Sequence, residues 1–182
     1  MPSNNIMGED LDNIEAKKNS IVLIGMPGAG KTTIAPLLAE KLGWSLIDTD
    51  DNIKTAACKS CQEIVNQHGY LYFRNIEEKE LISINLENHV IATGGSAVYS
   101  NAGMSHLKSR STVIFMQISF EGLLDRQLDI KNRGIASKTG QTFHEIYLER
   151  QSLYHKYADC TVECSGKSRE QVLNEILDLI ES

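Results

Sequence analysis

Residues 25–32 constrain this chain more than any other stretch, because they read Gly-Met-Pro-Gly-Ala-Gly-Lys-Thr. Before them, residues 21–24 form an apolar run that is rich in β-branched side chains and too short for a helix. After them, residues 33–42 carry apolar side chains at helical spacing. A strand, a loop of the form G-x-x-x-x-G-K-T and a helix, in that order, predict a binding site for a nucleoside triphosphate.

The residue types of this loop suit phosphate chemistry. Its glycines allow backbone N–H groups to close around phosphate oxygens at the positive end of a helix. We expect Gly28, Ala29, Gly30 and the following residues to hold ATP, with Lys31 reaching the β- and γ-phosphates and Thr32 ligating Mg²⁺. A glycine-rich turn that matches by chance is the alternative, and the flanking strand, lysine and threonine argue against it.

Composition narrows the class of protein. The chain has 182 residues, enough for one domain with a single core, and a formal net charge of −6. An acidic chain is a poor match for nucleic acid, so an anionic substrate needs a local cluster of arginine and lysine. No apolar run approaches a membrane span and no export signal is visible, so we predict a cytoplasmic protein that does not contact membranes. We also predict a monomer, which is the default for a domain of this type.

The four cysteines form two close pairs, Cys58 with Cys61 and Cys160 with Cys164. Two pairs permit a zinc site, but almost a hundred residues separate them and no histidine stands at ligand spacing. A disulfide framework fits poorly with a chain that lacks an export signal. We therefore predict ordinary reduced thiols.

Apolar strands alternate with amphipathic helices from residue 20 onward. This alternation predicts a parallel sheet that is covered by helices on both faces. Residues 1–19 are polar, and we expect a flexible extension with a helical turn near residues 11–16, followed by one domain over 20–182. The predicted strands are 21–25, 45–48, 89–93, 112–117 and 161–163, and the predicted helices are 31–42, 51–57, 61–67, 72–87, 101–109, 119–128, 142–156 and 168–181.

One polar, basic and glycine-containing segment, residues 129–140, interrupts this alternation. It is either a plain surface connection or a mobile lid. Because a phosphate-binding loop is present, we favour a lid that brings Arg133 over the phosphates and excludes water.

Two aspartates follow the second predicted strand, Asp48 and Asp50. Parallel strands end at the edge where ligands bind, so both carboxylates should lie beside the phosphate loop. Such a pair suits two tasks: one carboxylate orients Mg²⁺ through water, and the other removes or holds a hydroxyl proton. A helix N-cap is the structural alternative, and Asp51 is the residue we expect in that role.

Further charged and glycine-rich segments come later in the chain. Arg74 and Glu77 stand at helical i, i+3 spacing and are expected to share a face. Gly94 and Gly95 end a predicted strand and would let a ligand approach the backbone closely. Arg150 lies in a late helix, four residues before Tyr154.

Taken together, these segments resemble the shikimate kinase family over about residues 20–180. The phosphate loop alone identifies only a superfamily, whereas the combination of motifs is far more specific. The matching residues are Gly25–Thr32, Asp48-Thr49-Asp50, Gly69 with Phe73-Arg74 and Glu77, Thr93-Gly94-Gly95, Arg126 with Arg133, and Arg150 with Leu153-Tyr154 and Ala158-Asp159.

The resemblance implies a three-layer α/β/α P-loop kinase fold with a five-stranded parallel sheet in the order 2-3-1-4-5 and a mobile lid. It also implies transfer of phosphate from ATP to shikimate, with Mg²⁺ managed by Thr32 and Asp48. The acceptor segment would lie at about residues 50–80. By resemblance, the acceptor site is Asp50, Arg74, Gly94, Gly95, Ser96 and Arg150, the ATP site is Gly28–Thr33 with Arg126 and Arg133, and the catalytic residues are Lys31, Asp50 and Arg133.

Several positions depart from the family pattern. Ser96 replaces a third glycine, Gly134 replaces a lid proline, and Cys61 and Val65 replace larger apolar residues of the acceptor pocket. Tyr70, Cys58 and Ser152 depart as well. Two alternatives therefore stay open: a kinase of the same fold that acts on another small hydroxy acid, such as homoserine or a sugar acid, and a nucleotide-binding module without catalysis. The sequence also leaves open whether Asp50 removes the proton or only orients the hydroxyl.

Overall fold

The structure is a computed structural model that describes residues 18–126 and 140–181. The predicted helical turn at 11–16 and most of the predicted lid, including Arg133, lie outside these residues. The division into an N-terminal extension and one kinase domain remains a prediction.

Five parallel strands form one sheet in the order β2-β3-β1-β4-β5, which confirms the expected order. Val22 of the central strand pairs in register with Ile91 on one side and Val113 on the other. All five residues of β1 are buried, so both faces of the sheet are covered there. The strands are β1 (Ser20–Ile24), β2 (Ser45–Asp48), β3 (His89–Ala92), β4 (Ser111–Gln117) and β5 (Cys160–Glu163).

Eight helices and one 3₁₀ turn lie within the described residues. Helix α1 packs against α8, and α4 packs against α2, α3 and α5. The helices are α1 (Lys31–Leu42), α2 (Thr49–Ala57), α3 (Cys61–His68), α4 (Tyr70–Ser83), α5 (Asn101–Lys108), α6 (Phe120–Asp125), α7 (Phe143–Tyr157) and α8 (Arg169–Glu181), and the 3₁₀ turn is Ala97–Tyr99.

Two apolar cores divide the domain. The main core fills the space between the sheet and its helices. A smaller core of Ile53, Ile64 and Phe73 joins α2, α3 and α4. This second core fixes the predicted acceptor segment as a packed unit beside the sheet.

Two helix predictions need correction at their ends. Helix α4 spans 70–83 rather than 72–87, because the chain turns extended at Ile84, whose φ and ψ are −76° and 106°. Helix α6 ends at Asp125 rather than 128, where Arg126 leaves helical geometry and caps it. Helical spacing cannot reveal either stop, since apolar side chains continue beyond both.

Candidate active site

The phosphate-binding loop has the backbone shape that its glycines predict. Gly25, Gly28 and Gly30 all have positive φ, at 148°, 88° and 108°. A Cβ on Gly25 would lie 2.6 Å from the carbonyl oxygen of Met116, so this position also requires glycine for space. Helix α1 then starts at Lys31 with no side-chain N-cap, which leaves the helix start open to an anion.

Lys31 is buried beneath this loop. Its Nζ donates hydrogen bonds to the carbonyl oxygens of Gly25, at 2.7 Å, and Met26, at 3.0 Å. The ammonium group is thus held beside the phosphate site, where a bound phosphate would give it a charged partner. Thr32 and Thr33 follow at the exposed mouth of the cavity.

Arg126 lies across the other side of the loop. Its Nη1 donates to the carbonyl oxygens of Gly28 and Ala29, at 2.8 and 2.9 Å, and its Nη2 donates to Cys164 at 3.0 Å. The guanidinium plane therefore ties the phosphate loop to the segment after β5. This position agrees with the ATP-side role that the resemblance implies.

Asp48, and not Asp51, caps helix α2, which corrects the predicted N-cap. Asp48 Oδ1 accepts hydrogen bonds from the backbone N–H groups of Asp50, at 3.0 Å, and Asp51, at 3.3 Å. Asp51 instead pairs with Lys54 at 2.8 Å. The helix begins two residues earlier than predicted, because residues 48–52 are all of types that commonly cap a helix and the sequence alone does not choose among them.

Asp50 lies in the first turn of α2 and lines the same cavity as the phosphate loop. Burial raises the pKa of its carboxyl group, and the negative charge of Asp48 raises it further, while Lys31 and Lys54 lower it. A carboxylate with a raised pKa is a better proton acceptor near neutral pH than an ordinary aspartate.

Arg150 is almost completely buried, at 1 % exposure. It lies on α7 one turn before Tyr154, whose hydroxyl donates to the carbonyl oxygen of Gly95 at 2.7 Å. A Cβ on Gly95 would lie 3.1 Å from Arg150 Nη1 and 2.6 Å from Pro27 Cδ. The small Gly95 therefore lets the guanidinium group reach the end of β3.

Arg74 lies on α4 on the other side of Tyr99. Its guanidinium carbon lies 3.5 Å from the centre of the Tyr99 ring, and that of Arg150 lies 5.3 Å from the same centre. Burial lowers the pKa of Arg74, and the like charge of Arg150 lowers it as well. The Tyr99 ring therefore holds two guanidinium groups close together with favourable cation–π contacts.

Glu77 and Ser96 form a buried polar pair behind the acceptor region. The Ser96 hydroxyl donates to Glu77 Oε2 at 2.7 Å. Glu77 is 1 % exposed, and its burial raises its pKa to about 7, with the Ser96 hydrogen bond opposing the shift. Ser96, predicted to contact the acceptor, thus bonds another protein side chain.

A single cavity of 1310 Å³ connects these groups. Its lining brings together the predicted ATP residues 28–33 and Arg126 with the predicted acceptor residues Asp50, Gly94, Gly95, Ser96 and Arg150. Arg74 does not line it and lies instead on a neighbouring cavity of 230 Å³, which Ser96 also lines. The structure therefore brings most predicted site residues together and places Arg74 beside them.

Asp48 and Thr32 line the same large cavity. Across 18–126 and 140–181, no cluster of three or more histidine, cysteine, aspartate or glutamate side chains is arranged to hold a metal ion. One carboxylate and one hydroxyl are nevertheless a fitting protein contribution for Mg²⁺, which keeps several waters and uses substrate phosphates as ligands. All four cysteines are free thiols, as predicted.

None of the helices in the described ranges combines the length and apolarity needed to cross a membrane.

Sequence reasoning missed two residues of the site. Tyr99 was not singled out, although it contacts both arginines, and Tyr154 was noted only as part of a motif, although it bonds Gly95. An aromatic residue shortly after a Gly-Gly pair is the only local signal for Tyr99, and it is weak.

A family model, a related sequence and a solved structure all identify the same family. Residues 27–181 match the family model described as shikimate kinase. The shikimate kinase of Persephonella marina is 32% identical over 162 residues, which cover 88% of this chain and 98% of that protein. A solved structure, the shikimate kinase from Acinetobacter baumannii in complex with shikimate, superposes with a TM-score of 0.83 at 30% identity, over 91% of this chain and 94% of that one. Thymidylate kinase from Candida albicans, at 16% identity and a TM-score of 0.55 over 90% of this chain and 91% of that one, shares the fold alone.

Proposed function

The chain belongs to the shikimate kinase family, and from this premise we propose that it transfers the γ-phosphoryl group of ATP to the 3-hydroxyl of shikimate. One observation carries the proposal: a single cavity is lined by the phosphate-binding loop, by Asp50 and by the buried Arg150. A site for a triphosphate and a site for a small anion in one cavity is what direct phosphoryl transfer needs.

On the ATP side, the backbone of residues 28–33 would hold the phosphates at the start of α1. Lys31 would exchange its two carbonyl contacts for phosphate oxygens, and this exchange is favoured because a charged partner replaces neutral ones. Arg126 would fix the loop by its carbonyl contacts and lie against the base.

On the acceptor side, Arg150 and Arg74 would hold the shikimate carboxylate. Guanidinium forks match the planar geometry of a carboxylate, and the burial of Arg150 together with the partial burial of Arg74 strengthens the contact. Tyr99 keeps the two groups near each other despite their like charge. Gly94 and Gly95 leave room for the ring beside them.

Asp50 would bind the hydroxyl that is phosphorylated. Its raised pKa suits a proton acceptor, and its place on the shared cavity, near Lys31 and Gly94, suits an orienting group. Asp48 and Thr32 would hold Mg²⁺, Asp48 through water. The ion, when bound, neutralises the phosphate charge that develops during transfer. Arg133 would close over the phosphates from the lid.

A coupled assay of ADP release over a panel of hydroxy acids tests the proposal. We expect saturable turnover on shikimate, and much slower release with homoserine or sugar acids. The Lys31→Ala variant is the control for contaminating kinases, because it should lose turnover while it stays folded. Saturable turnover on another acid with none on shikimate would reject the proposed acceptor, and ATP binding without turnover on any acid would favour a non-catalytic module.

A further inference from the structure

The pair of Ser96 and Glu77 lies in the wall between two cavities. Ser96 lines both the large cavity and the small cavity of 230 Å³, and Glu77 lines the small one. The hydrogen bond from Ser96 to Glu77 Oε2 fixes which way the carboxyl group points. Since this position is usually glycine in the family pattern, the hydroxyl donor is a feature of this chain.

The second oxygen of Glu77 points toward the acceptor side. A Cβ built on Gly94 would lie 2.5 Å from Glu77 Oε1 and 2.6 Å from Asp50 Oδ1, so the two oxygens lie within about 5 Å of each other. Among the described residues, Glu77 Oε1 is buried without a hydrogen-bond partner. A buried oxygen in this position is stabilised when it is protonated or when it accepts a hydrogen bond.

Charged and titratable groups face Glu77 from each neighbouring element. Helix α5 also packs against α4, but its His106 bonds the carbonyl oxygen of Ile84, at the far end of that helix. Glu78 bonds Ser100 at 2.6 Å, on the side of the small cavity. The groups that act on Glu77 are Asp50 from α2, Cys61 from α3, Arg74 from its own helix, Arg150 and Tyr154 from α7, and Ser96.

The ionised groups in this set balance: two carboxylates, Asp50 and Glu77, against two guanidinium groups, Arg74 and Arg150. A bound acceptor carboxylate adds one negative charge and occupies the two arginines. The field that favours ionised Glu77 is then weakened, so the carboxyl group should gain a proton. Its pKa of about 7 in the free protein makes that proton exchange possible at neutral pH.

We propose that binding of the anionic acceptor is coupled to the uptake of one proton by Glu77, and that Ser96 is the positioning residue for this carboxyl group. This inference rests on the proposed function, because it takes shikimate as the anion. The proton comes from solvent through the small cavity, and it converts a carboxylate into a neutral carboxylic acid with no other bond made or broken.

Calorimetric titration of shikimate into the full chain measures this proton directly. Titrations at one pH in two amine-based buffers of different ionisation enthalpy, MES and Bis-Tris at the lower pH and HEPES and Tris at the higher pH, give the number of protons taken up. We expect uptake near zero at about pH 5.5, where free Glu77 is already protonated, and most of one proton at about pH 8. The dissociation constant should rise about fivefold between pH 7 and 8, from the pKa of about 7 in the free protein.

Two variants and one matched control assign the proton. Glu77→Gln should bind shikimate with no proton uptake and a flat pH dependence. Ser96→Ala should move the uptake profile to higher pH, because the lost hydrogen bond favoured the ionised form, and the φ of −94° at this position suits alanine. Ser100→Ala removes a similar serine–glutamate bond, to Glu78, and should keep the wild-type profile.

The possible failures are distinguishable. Binding and turnover of shikimate with buffer-independent heats at every pH would overturn this inference and leave the proposed function intact. Uptake that persists in Glu77→Gln would overturn it by assigning the proton to another group. Absence of both binding and turnover on shikimate would overturn the proposed function, and this inference with it.

Discussion

The charge on Glu77 should make the free protein less stable as the pH rises, and Glu77→Gln should remove this effect. Glutamine has almost the shape of the protonated side chain and can still accept the Ser96 hydrogen bond. Burial raises the pKa of Glu77 from 4.5 to about 7 in the folded state. The folded protein therefore holds a proton that the unfolded chain releases, so this contribution is complete below about pH 4.5 and is lost as the pH rises through about 7.

The magnitude follows from the size of the shift. A shift from 4.5 to about 7 corresponds to about 3 kcal/mol in total, at about 1.4 kcal/mol per pKa unit. Between about pH 5 and pH 8.5, wild type should lose about 2 to 3 kcal/mol of this contribution to its free energy of unfolding. Glu77→Gln should thus gain about this free energy of unfolding relative to wild type over that interval.

Urea unfolding of both proteins at the two pH values, without ligands, measures the effect. Each protein gives a change in unfolding free energy between the two pH values. Subtracting one change from the other cancels the contributions of all other titrating groups, provided that both proteins unfold in two states with equal m-values. Ser96→Ala serves as a second variant, and its stability should fall more steeply with pH than that of wild type, because its Glu77 lacks the donor that favours ionisation. Equal pH dependence of wild type and Glu77→Gln, within about 0.5 kcal/mol, would refute the reasoning.

Three further substitutions test the assigned geometry. Gly94→Ala should reduce acceptor kcat/KM about a hundredfold or more and leave ADP affinity unchanged, because its Cβ would lie 2.5 Å from Glu77 Oε1. Steady-state kinetics gives kcat/KM and calorimetry gives the ADP affinity. An unchanged kcat/KM would contradict the close packing. Arg126→Ala should raise the KM for ATP about tenfold and leave the acceptor KM nearly unchanged, since it loses two contacts to phosphate-loop carbonyls and one to Cys164. An equal rise in both constants would argue against an ATP-side role. Arg150→Lys should raise the acceptor KM about tenfold to a hundredfold, because a point charge replaces a planar fork, and a normal KM in a kinetic titration would remove Arg150 from the acceptor site.

Much of the fold was predictable because its signals are local. Strands β1, β3 and β4 are short apolar runs, and all five predicted strands lie within one residue of the observed limits. Helix ends were harder, since α4 stops where Ile84 turns extended, although apolar residues continue beyond it. The strand order was predicted from the family resemblance rather than from the pattern of apolar residues, which does not encode which strands are neighbours.

The site likewise has one part that follows from local sequence and one part that depends on tertiary structure. The phosphate loop is contiguous in sequence, so its shape follows from its own glycines and from the helix that starts at Lys31. The acceptor region is assembled from four separate segments, and Arg74 was expected in the same cavity as Asp50 and Arg150. The structure places it across the Tyr99 ring, on the neighbouring cavity, because the 3₁₀ turn after β3 inserts that ring between α4 and α7.

The sequence by itself determined the phosphate-binding loop, the alternation of strands and helices, and the set of acidic and basic side chains available to the site. Only the tertiary structure decided which partners those side chains have: Asp48 caps a helix, Ser96 bonds Glu77, and Tyr99 contacts two arginines. The physical reason is that backbone geometry responds to neighbouring residues along the chain, whereas the pKa of a buried group depends on burial and on charges from distant segments.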